Sequence, residues 1–466
     1  MRLDPRSIWT WLSLLVLGLL CLFLVYPVAN IFLASLGGPG RGDGWTIIVS
    51  DPRYPRAIAN TLVLGVAVTV AAMSIGVPLA YLTARYDFPG KAIVSILPLV
   101  TLVAPEVIVA QTWLMMLGNN GLIRRWLTEY GVVLPSFYGW FGLITSMTFV
   151  YYTYAYIGTL AAIRGFDVQL EEAARSLGSS PVRARLRVLV PVVLPAILAS
   201  ALLVFTLVVG NFALSMILGG RVELLSVKTY QAAVSETSSN PVLQSTLASV
   251  SISIVMILLF AQRWIVSRGR FEIVQGRQAK AQLLRGLPAL AFAALAALVV
   301  AISLLPLAAV VAGAFTMSRG PVMRWGQWTT ANLERVLSRS PEPLYNTLTY
   351  AGTATAIAIA LSGLIGYLIV RRRNAVTPLI DYVTALPLAL SADAVLAWVT
   401  ALAELSTSII VYSGGRETIP IQIFKLIEGG LMAQASAYGL VLVCVILVPI
   451  LVATRIFRID LFASRS

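Results

Sequence analysis

Eight stretches of the chain run without a single Asp, Glu, Lys or Arg: Ile8 to Leu36, Ala57 to Ala84, Tyr130 to Ile163, Val188 to Gly220, Thr237 to Gln262, Gly286 to Ser318, Pro343 to Val370 and Gly429 to Thr454. Each exceeds the roughly 20 residues that carry a helix across ~30 Å of hydrocarbon, where a helix is the only open-chain form that pairs its own backbone. Two further segments, Ala92 to Ile123 with Glu106 and Asn374 to Leu402 with Asp381 and Asp393, are similar but carry acids. The pattern predicts an all-α, polytopic transmembrane bundle of about ten spans.

One interruption between spans has a pattern of its own. Leu170-Glu171-Glu172-Ala173-Ala174-Arg175-Ser176-Leu177-Gly178 is followed by Val188-Leu189-Val190-Pro191. Asp167 is placed to cap a helix, and Glu171 and Glu172 in its first turns suit the positive end of the helix dipole. Leu170, Ala173, Ala174 and Leu177 fall at i, i+3, i+4 and i+7 and form one apolar face, and Gly178 suits the left-handed residue that ends such helices. The expected product is a short docking helix. Its alanines admit a close partner, Glu172 is free to meet a cation, and Arg183, Arg185 and Arg187 anchor the loop before Pro191 and Pro195 enter the next span. An ordinary loop lying on lipid fits the composition equally well.

Composition agrees with a bilayer protein, with 58% hydrophobic and 12% charged residues and a mean hydropathy of +0.87. The formal charge of +14 matters through its location. With the N-terminus inside, Arg85, Lys91, Arg164, Arg183, Arg185, Arg187, Arg263, Arg268 and Arg371 to Arg373 all fall on the cytoplasmic side, giving an orientation with both termini cytoplasmic. Basicity then reads as topology, and no nucleic-acid partner is expected. The apolar run after Arg2 and Arg6 is too long for a cleaved signal and reads as an uncleaved anchor. Cys21 and Cys444 both sit in apolar spans and the chain has no His, so no thiolate or imidazole metal site and no His general base is available. A phosphate loop ending in Gly-Lys-Ser/Thr is also absent. No catalytic residue and no bound cofactor is expected, and any ATP and magnesium belong to a partner.

The chain also repeats itself. Asn60-Thr61-Leu62 with Tyr81-Leu82 and Arg85 returns as Asn346-Thr347-Leu348 with Tyr367-Leu368 and Arg371, at an offset of 286 residues. Leu97-Pro98-Leu99 matches Leu386-Pro387-Leu388 soon after. The spacing then collapses: Phe205, Asn211, Ser215, Ile217 and Gly219-Gly220-Arg221 pair with Trp398, Glu404, Ser408, Ile410 and Gly414-Gly415-Arg416 at offsets of 193 to 195. Roughly 90 residues of the first copy, about Glu106 to Leu203, lack a counterpart in the second. The division is 1–275, six spans with the polar loop at 164–191, and 276–466, four spans without it. Asn374 to Leu402 reads as a composite helix joining the ends of the missing block. Chance similarity among Leu/Ala/Val-rich helices is the bland alternative.

An ionisable group at membrane depth costs about 2.5 to 3.5 kcal/mol on insertion scales, so Glu106, Asp381, Asp393 and Glu404 are weighed. Glu106 follows Pro105, where a broken helix can line a pathway, and Glu404 aligns with Asn211 across the repeat. Glu106, Asn211 and Glu404 are the candidate pathway residues, with helix pairing as the structural alternative. Asp381 is expected near the inner surface beside Arg371 to Arg373, and Asp393 at the composite joint. The cluster Tyr151-Tyr152-Tyr154-Tyr156 is expected to be an interfacial aromatic belt or helix packing rather than a ligand cage.

Glu172-Ala173-Ala174, Gly178 four residues later, nine intervening residues and then Val188-x-Val190-Pro191 together resemble the EAA loop of inner-membrane permeases of binding-protein-dependent ABC importers. The likeness covers nearly the whole chain, as two fused permease copies of the kind found in ferric-iron, thiamine and aminoethylphosphonate importers. Ala403 to Ser408 and Ile419 to Phe424 look most like the ferric-iron permeases. The resemblance implies a bacterial inner-membrane protein partnered by cytoplasmic ATPase subunits and by a periplasmic or lipid-anchored substrate-binding protein. It implies that Glu171, Glu172, Ala173, Ala174, Leu177 and Gly178 couple the bundle to the ATPase. Ferric iron is the expected solute; another small solute, or a transport-deficient relic or scaffold, is the alternative. Family permeases present two such loops, so a chain with one is expected to transport poorly as the only permease.

Overall fold

The computed structural model describes residues 7–37, 43–101, 104–234, 240–268, 281–319, 322–384, 401–406 and 408–457. The first part of the chain supplies α1 (Ile8–Ser35), α2 (Arg53–Arg85), α3 (Lys91–Thr101), α4 (Glu106–Leu117), α5 (Trp140–Arg164), α6 (Val168–Ser176), α7 (Pro181–Gly210), α8 (Ala213–Leu218) and α9 (Pro241–Arg268). The second part supplies α10 (Leu287–Ala314), α11 (Glu342–Arg371), α12 (Thr377–Thr384), α13 (Ile419–Glu428) and α14 (Met432–Phe457). Among the described residues seven helices are long and apolar enough to cross a bilayer: α1, α2, α7, α9, α10, α11 and α14. The 25-residue α5 has the length, but its tyrosines make it less apolar than those seven. The protein is an all-α polytopic bundle.

Two expected spans differ in detail. Ala92 to Ile123 is not one helix, because Pro105 has no N–H to continue the ladder and its ring crowds the preceding turn. The Ala104 N–H instead turns back to the Thr101 carbonyl at 3.3 Å, and α4 starts afresh at Glu106. Of Asn374 to Leu402, α12 is described and 385–400 lie outside the described residues. Asp381 falls on α12, and Asp393 is among the residues not described.

The most extensive helix seam runs between α2 and α5, and Gly76 is what permits it. A Cβ at Gly76 would stand 2.6 Å from the Tyr152 carbonyl oxygen and 2.7 Å from Ala155 Cβ, so the two backbones meet where only hydrogen fits. Small residues serve this purpose in membranes, where lipid is as apolar as leucine and packing must hold helices together. Tyr152 and Tyr156 are fully buried. They pack the bundle interior and do not form an interfacial belt.

The two parts of the chain meet along α4. Gln111 donates from Nε2 to Ser436 Oγ at 2.8 Å and to the Met432 carbonyl at 2.9 Å, and α10 packs on both α4 and α14. The N-terminal helix reaches across as well: Val16 and Leu20 share an apolar cluster with Ile365, Leu368, Val376 and Ile380, and Asn374 Nδ2 donates to Ser13 Oγ at 2.9 Å. After α2, Tyr86–Asp87 pairs in parallel with Gln282–Leu283.

One pair of hydrogen bonds occurs twice. Asn60 Nδ2 donates to the Glu223 carbonyl at 3.0 Å, and Asn346 Nδ2 donates to the Glu417 carbonyl at 3.0 Å. The Leu225 N–H donates to Thr61 Oγ1 at 2.9 Å, and the Ile419 N–H donates to Thr347 Oγ1 at 2.7 Å. The donors and acceptors on α2 and α11 are 286 residues apart and their partners are 194 apart, within the offsets seen in the sequence. Gly220 and Gly415 both take positive φ, +58° and +80°.

Gly76→Leu is expected to break the α2–α5 seam. Overpacking of this kind costs about 1 to 3 kcal/mol, and more where backbone is the obstacle. Thermal unfolding of the purified protein in detergent checks this; an unchanged midpoint would mean that the close approach is absent.

Candidate coupling helix and membrane-depth network

The short helix α6 forms as its sequence dictates. Asp167 Oδ1 accepts from the Gln169 N–H at 3.0 Å. At the other end Gly178 has φ +88°, the Ser179 N–H returns to the Ala174 carbonyl at 3.1 Å and the Gly178 N–H to the Arg175 carbonyl at 2.9 Å. This pair of bonds closes the helix around a left-handed glycine. Leu170 is 51% and Leu177 88% exposed, Glu172 and Ala173 are exposed, and Ala174 is half-buried. Val182 and Leu186 extend the exposed apolar surface. The face expected from spacing is thus presented outward.

Glu171 behaves differently from its neighbour. It is turned inward and buried, where its Oε2 lies 2.7 Å from Arg85 Nη2 and its Oε1 3.6 Å from Arg185 Nε. Arg85 also stands over the Phe166 ring, 5.8 Å from its centre. Beneath these charges lies an apolar cluster of Ile163, Phe166, Leu189 and Val193. Glu171, one of the residues the resemblance assigns to coupling, ties α6 to the end of α2 through Arg85 and to the start of α7 through Arg185. A push on α6 is therefore delivered to two spans.

At membrane depth the second set of expected residues comes together. Both oxygens of Glu106 are used: Oε1 accepts from the Tyr151 hydroxyl at 2.7 Å and Oε2 from Asn211 Nδ2 at 2.6 Å. Asn211 Nδ2 also donates to the Tyr151 hydroxyl at 2.8 Å. Asn211 sits where α7 ends at Gly210, and its Oδ1 accepts from the Leu214 N–H at 3.0 Å, starting α8. The network therefore joins two helix interruptions, one before Glu106 and one at Asn211. Glu404 is half-buried, and no hydrogen bond joins it to Glu106 among the contacts described above. Of the three residues expected to line a pathway, Glu106 and Asn211 are hydrogen-bonded to each other, and Tyr151, expected in an aromatic belt or in helix packing, completes their network. Arg85, expected to mark orientation and the repeat, is also the residue that holds Glu171.

Removing one member of a buried ion pair leaves the other charge uncompensated, at about 3 to 5 kcal/mol. Glu171→Ala is therefore expected to loosen the 165–190 segment, read as faster tryptic cleavage at Arg183. The double change Arg85→Met with Glu171→Leu is expected to restore resistance. Equal cleavage of all three proteins would show that the pair does not hold α6.

Residues 76–270 match the family described as "Binding-protein-dependent transport system inner membrane component". The chain is 28% identical over 400 residues to "Probable ABC transporter permease protein y4fN" of Sinorhizobium fredii, covering 83% of this chain and 69% of that protein. It is 30% identical over 258 residues to "Probable molybdenum ABC transporter permease protein HVO_B0370" of Haloferax volcanii, covering 55% of this chain and 91% of that protein. A third relative, "Fe(3+)-transport system permease protein FbpB 2" of Haemophilus influenzae, is 30% identical over 264 residues, covering 55% of this chain and 46% of that protein. The segment shared with the family contains α5, α6, α7 and both of the residues that cap and terminate α6, Asp167 and Gly178. With a relative at this identity matched over nearly its full length, the chain belongs to the inner-membrane permeases of binding-protein-dependent ABC importers, and is a transport subunit rather than an enzyme.

Proposed function

We propose that this permease imports ferric iron across a bacterial inner membrane, driven by a cytoplasmic ATPase that grips α6. The observation that carries the coupling half of this reading is the outward face of Leu170, Ala173 and Leu177 beside exposed Glu172, on a helix whose other side is pinned by Glu171. An apolar face with one charge at its edge is suited to a groove on a soluble subunit, with Glu172 meeting a cation there. ATP and magnesium are held by that subunit, and a periplasmic or lipid-anchored binding protein delivers the solute. Both termini of the permease are cytoplasmic in this arrangement.

The mechanism follows from the two ties at Glu171. When the ATPase closes, α6 moves, and Arg85 and Arg185 carry the displacement to α2 and α7. At the far end of α7 lies Asn211, bonded to Glu106 at the start of α4. Motion of α7 therefore acts on both helix interruptions at once, and these are the places where backbone at membrane depth leaves the regular ladder and can line a route. Two states of the bundle, each favoured by a different nucleotide state of the partner, are enough to alternate access. The proposed tandem copies, 1–275 and 276–466, flank this route from either side.

Ferric iron rests on the tail segments Ala403 to Ser408 and Ile419 to Phe424 and on the Haemophilus relative. A second reading, molybdate, is favoured by the Haloferax relative and its fuller coverage. Uptake of labelled ferric iron and of molybdate is to be compared in cells expressing the chain with its ATPase and binding protein. Glu172→Lys combined with Ala173→Trp is expected to lower ATPase co-purification and cut uptake on the order of tenfold, the equivalent of ~1.4 kcal/mol, with the amount of permease unchanged. Uptake of molybdate alone moves the substrate assignment. Retained ATPase binding with neither solute imported makes the chain a scaffold.

A further inference from the structure

A carboxylate inside a membrane protein is ordinarily balanced by a cation, and the chain supplies none to Glu106. The eight charge-free stretches and the two that carry acids hold no Lys and no Arg, and the formal charges within them are Glu106, Asp381 and Asp393. Asp381 falls on α12, and Asp393 is among the residues not described. The partners of Glu106, Tyr151 and Asn211, are both neutral. Each carboxylate oxygen accepts from one of them, as an ionised carboxylate does. The two donors hold the charge in place without cancelling it. Ionisable side chains within spans pair with one another or mark the path of a solute, and the first of these roles is unfilled here.

The carboxylate is also open on one side. Tyr151 and Asn211 are buried, but Glu106 is only half-buried, and so is Tyr154, whose ring centre lies 6.2 Å from that of Tyr151. Gly210, the neighbour of Asn211 in the chain, is exposed, and no heavy atom comes within 4 Å of where its Cβ would stand. Open space therefore adjoins the network where α7 ends. The network brings to this place one carboxylate and a phenol ring with a second ring beside it, and the faces of such rings draw cations as the carboxylate does.

We infer that Glu106 selects the charge of the imported solute, drawing cations past the two helix breaks and turning oxyanions back. The inference rests on the reading above that these breaks line the route, and it narrows the solute to a cation, with ferric iron and against molybdate. Cation-selective pores use acidic side chains in the same way. A dianion entering this space meets a like charge, and low dielectric strengthens the repulsion.

The test places a cysteine at Gly210, where the space is open and φ is not left-handed, in a chain carrying Cys21→Ser and Cys444→Ser. The full chain with its ATPase and binding protein is reconstituted in proteoliposomes. Two thiosulfonate reagents of similar size, one bearing a trimethylammonium group and one a sulfonate, then modify Gly210→Cys with and without ATP. Each rate is normalised to that with a free thiol in solution, so that the ratio cancels any effect of the carboxylate on the thiol itself. The cationic reagent is expected to react faster on the order of tenfold, the lower end of what a charged cleft adds to an on-rate. Glu106→Gln is expected to abolish the preference. Glu106→Asp disturbs the same hydrogen bonds but keeps the charge, and is expected to retain it.

Reaction with neither reagent puts Gly210 against lipid and overturns the inference. A ratio near one, a ratio that survives Glu106→Gln, or loss of the preference in both variants overturns it as well, and so does uptake of molybdate by the same proteoliposomes. If the preference is found and ferric iron does not enter, charge selection stands and the ferric-iron reading fails. If ferric iron enters and the preference is absent, the proposed function stands and this inference fails.

Discussion

Everything in this bundle answers to the absence of water from the hydrocarbon region. A polar group there must find its partner within the protein, at a cost of several kcal/mol if it does not. That constraint makes helices the default and makes each departure from a helix conspicuous. The break before Glu106 and the break at Asn211 would each leave backbone or side-chain groups unmet. The protein resolves both with one cluster: the Glu106 carboxylate takes Tyr151 and Asn211 as donors, and Asn211 in turn receives the first N–H groups of α8. The breaks are thus fixed relative to one another, and irregular backbone becomes a defined feature of the fold.

The same logic at the membrane boundary explains why adjacent glutamates divide their labour. Glu171 and Glu172 are chemically identical and differ by 100° around α6. The one that points inward is paired by Arg85 and Arg185 over an apolar floor; the other meets water. A buried ion pair adds little net stability compared with apolar packing. What it adds here is direction, since two arginines on two different spans hold one carboxylate and α6 cannot move without them. A short surface helix bonded only by its own backbone would lack those ties.

Much of this was legible in the chain. Span positions followed from the runs without charge, the cap at Asp167 and the left-handed Gly178 from local rules, and the offsets of 286 and 193 to 195 from matched residues whose hydrogen bonds recur at 286 and 194. These features depend on neighbours in sequence or on identity between copies. What escaped was tertiary. Whether Glu171 faces in or out depends on where Arg85 lies, 86 residues earlier, and no periodicity in α6 encodes it. Tyr151 lost its significance among other tyrosines for the same reason: Tyr152 and Tyr156 serve as packing, and the one-residue difference in facing that gives Tyr151 a carboxylate is set by α4. The Pro105 break was visible as a proline, but its consequence for Glu106 required Asn211 from another helix.

The network also bears on how the two parts of the chain can move against each other. All three hydrogen bonds among Glu106, Tyr151 and Asn211 lie within the first part, so they brace it as one body. Separation of the two parts at this level breaks none of these three bonds. Elsewhere on the same seam, Gln111 binds Ser436 and Met432 and opposes separation. The contact between the parts is thus held at Gln111, five residues along α4 from a network that belongs to the first part alone.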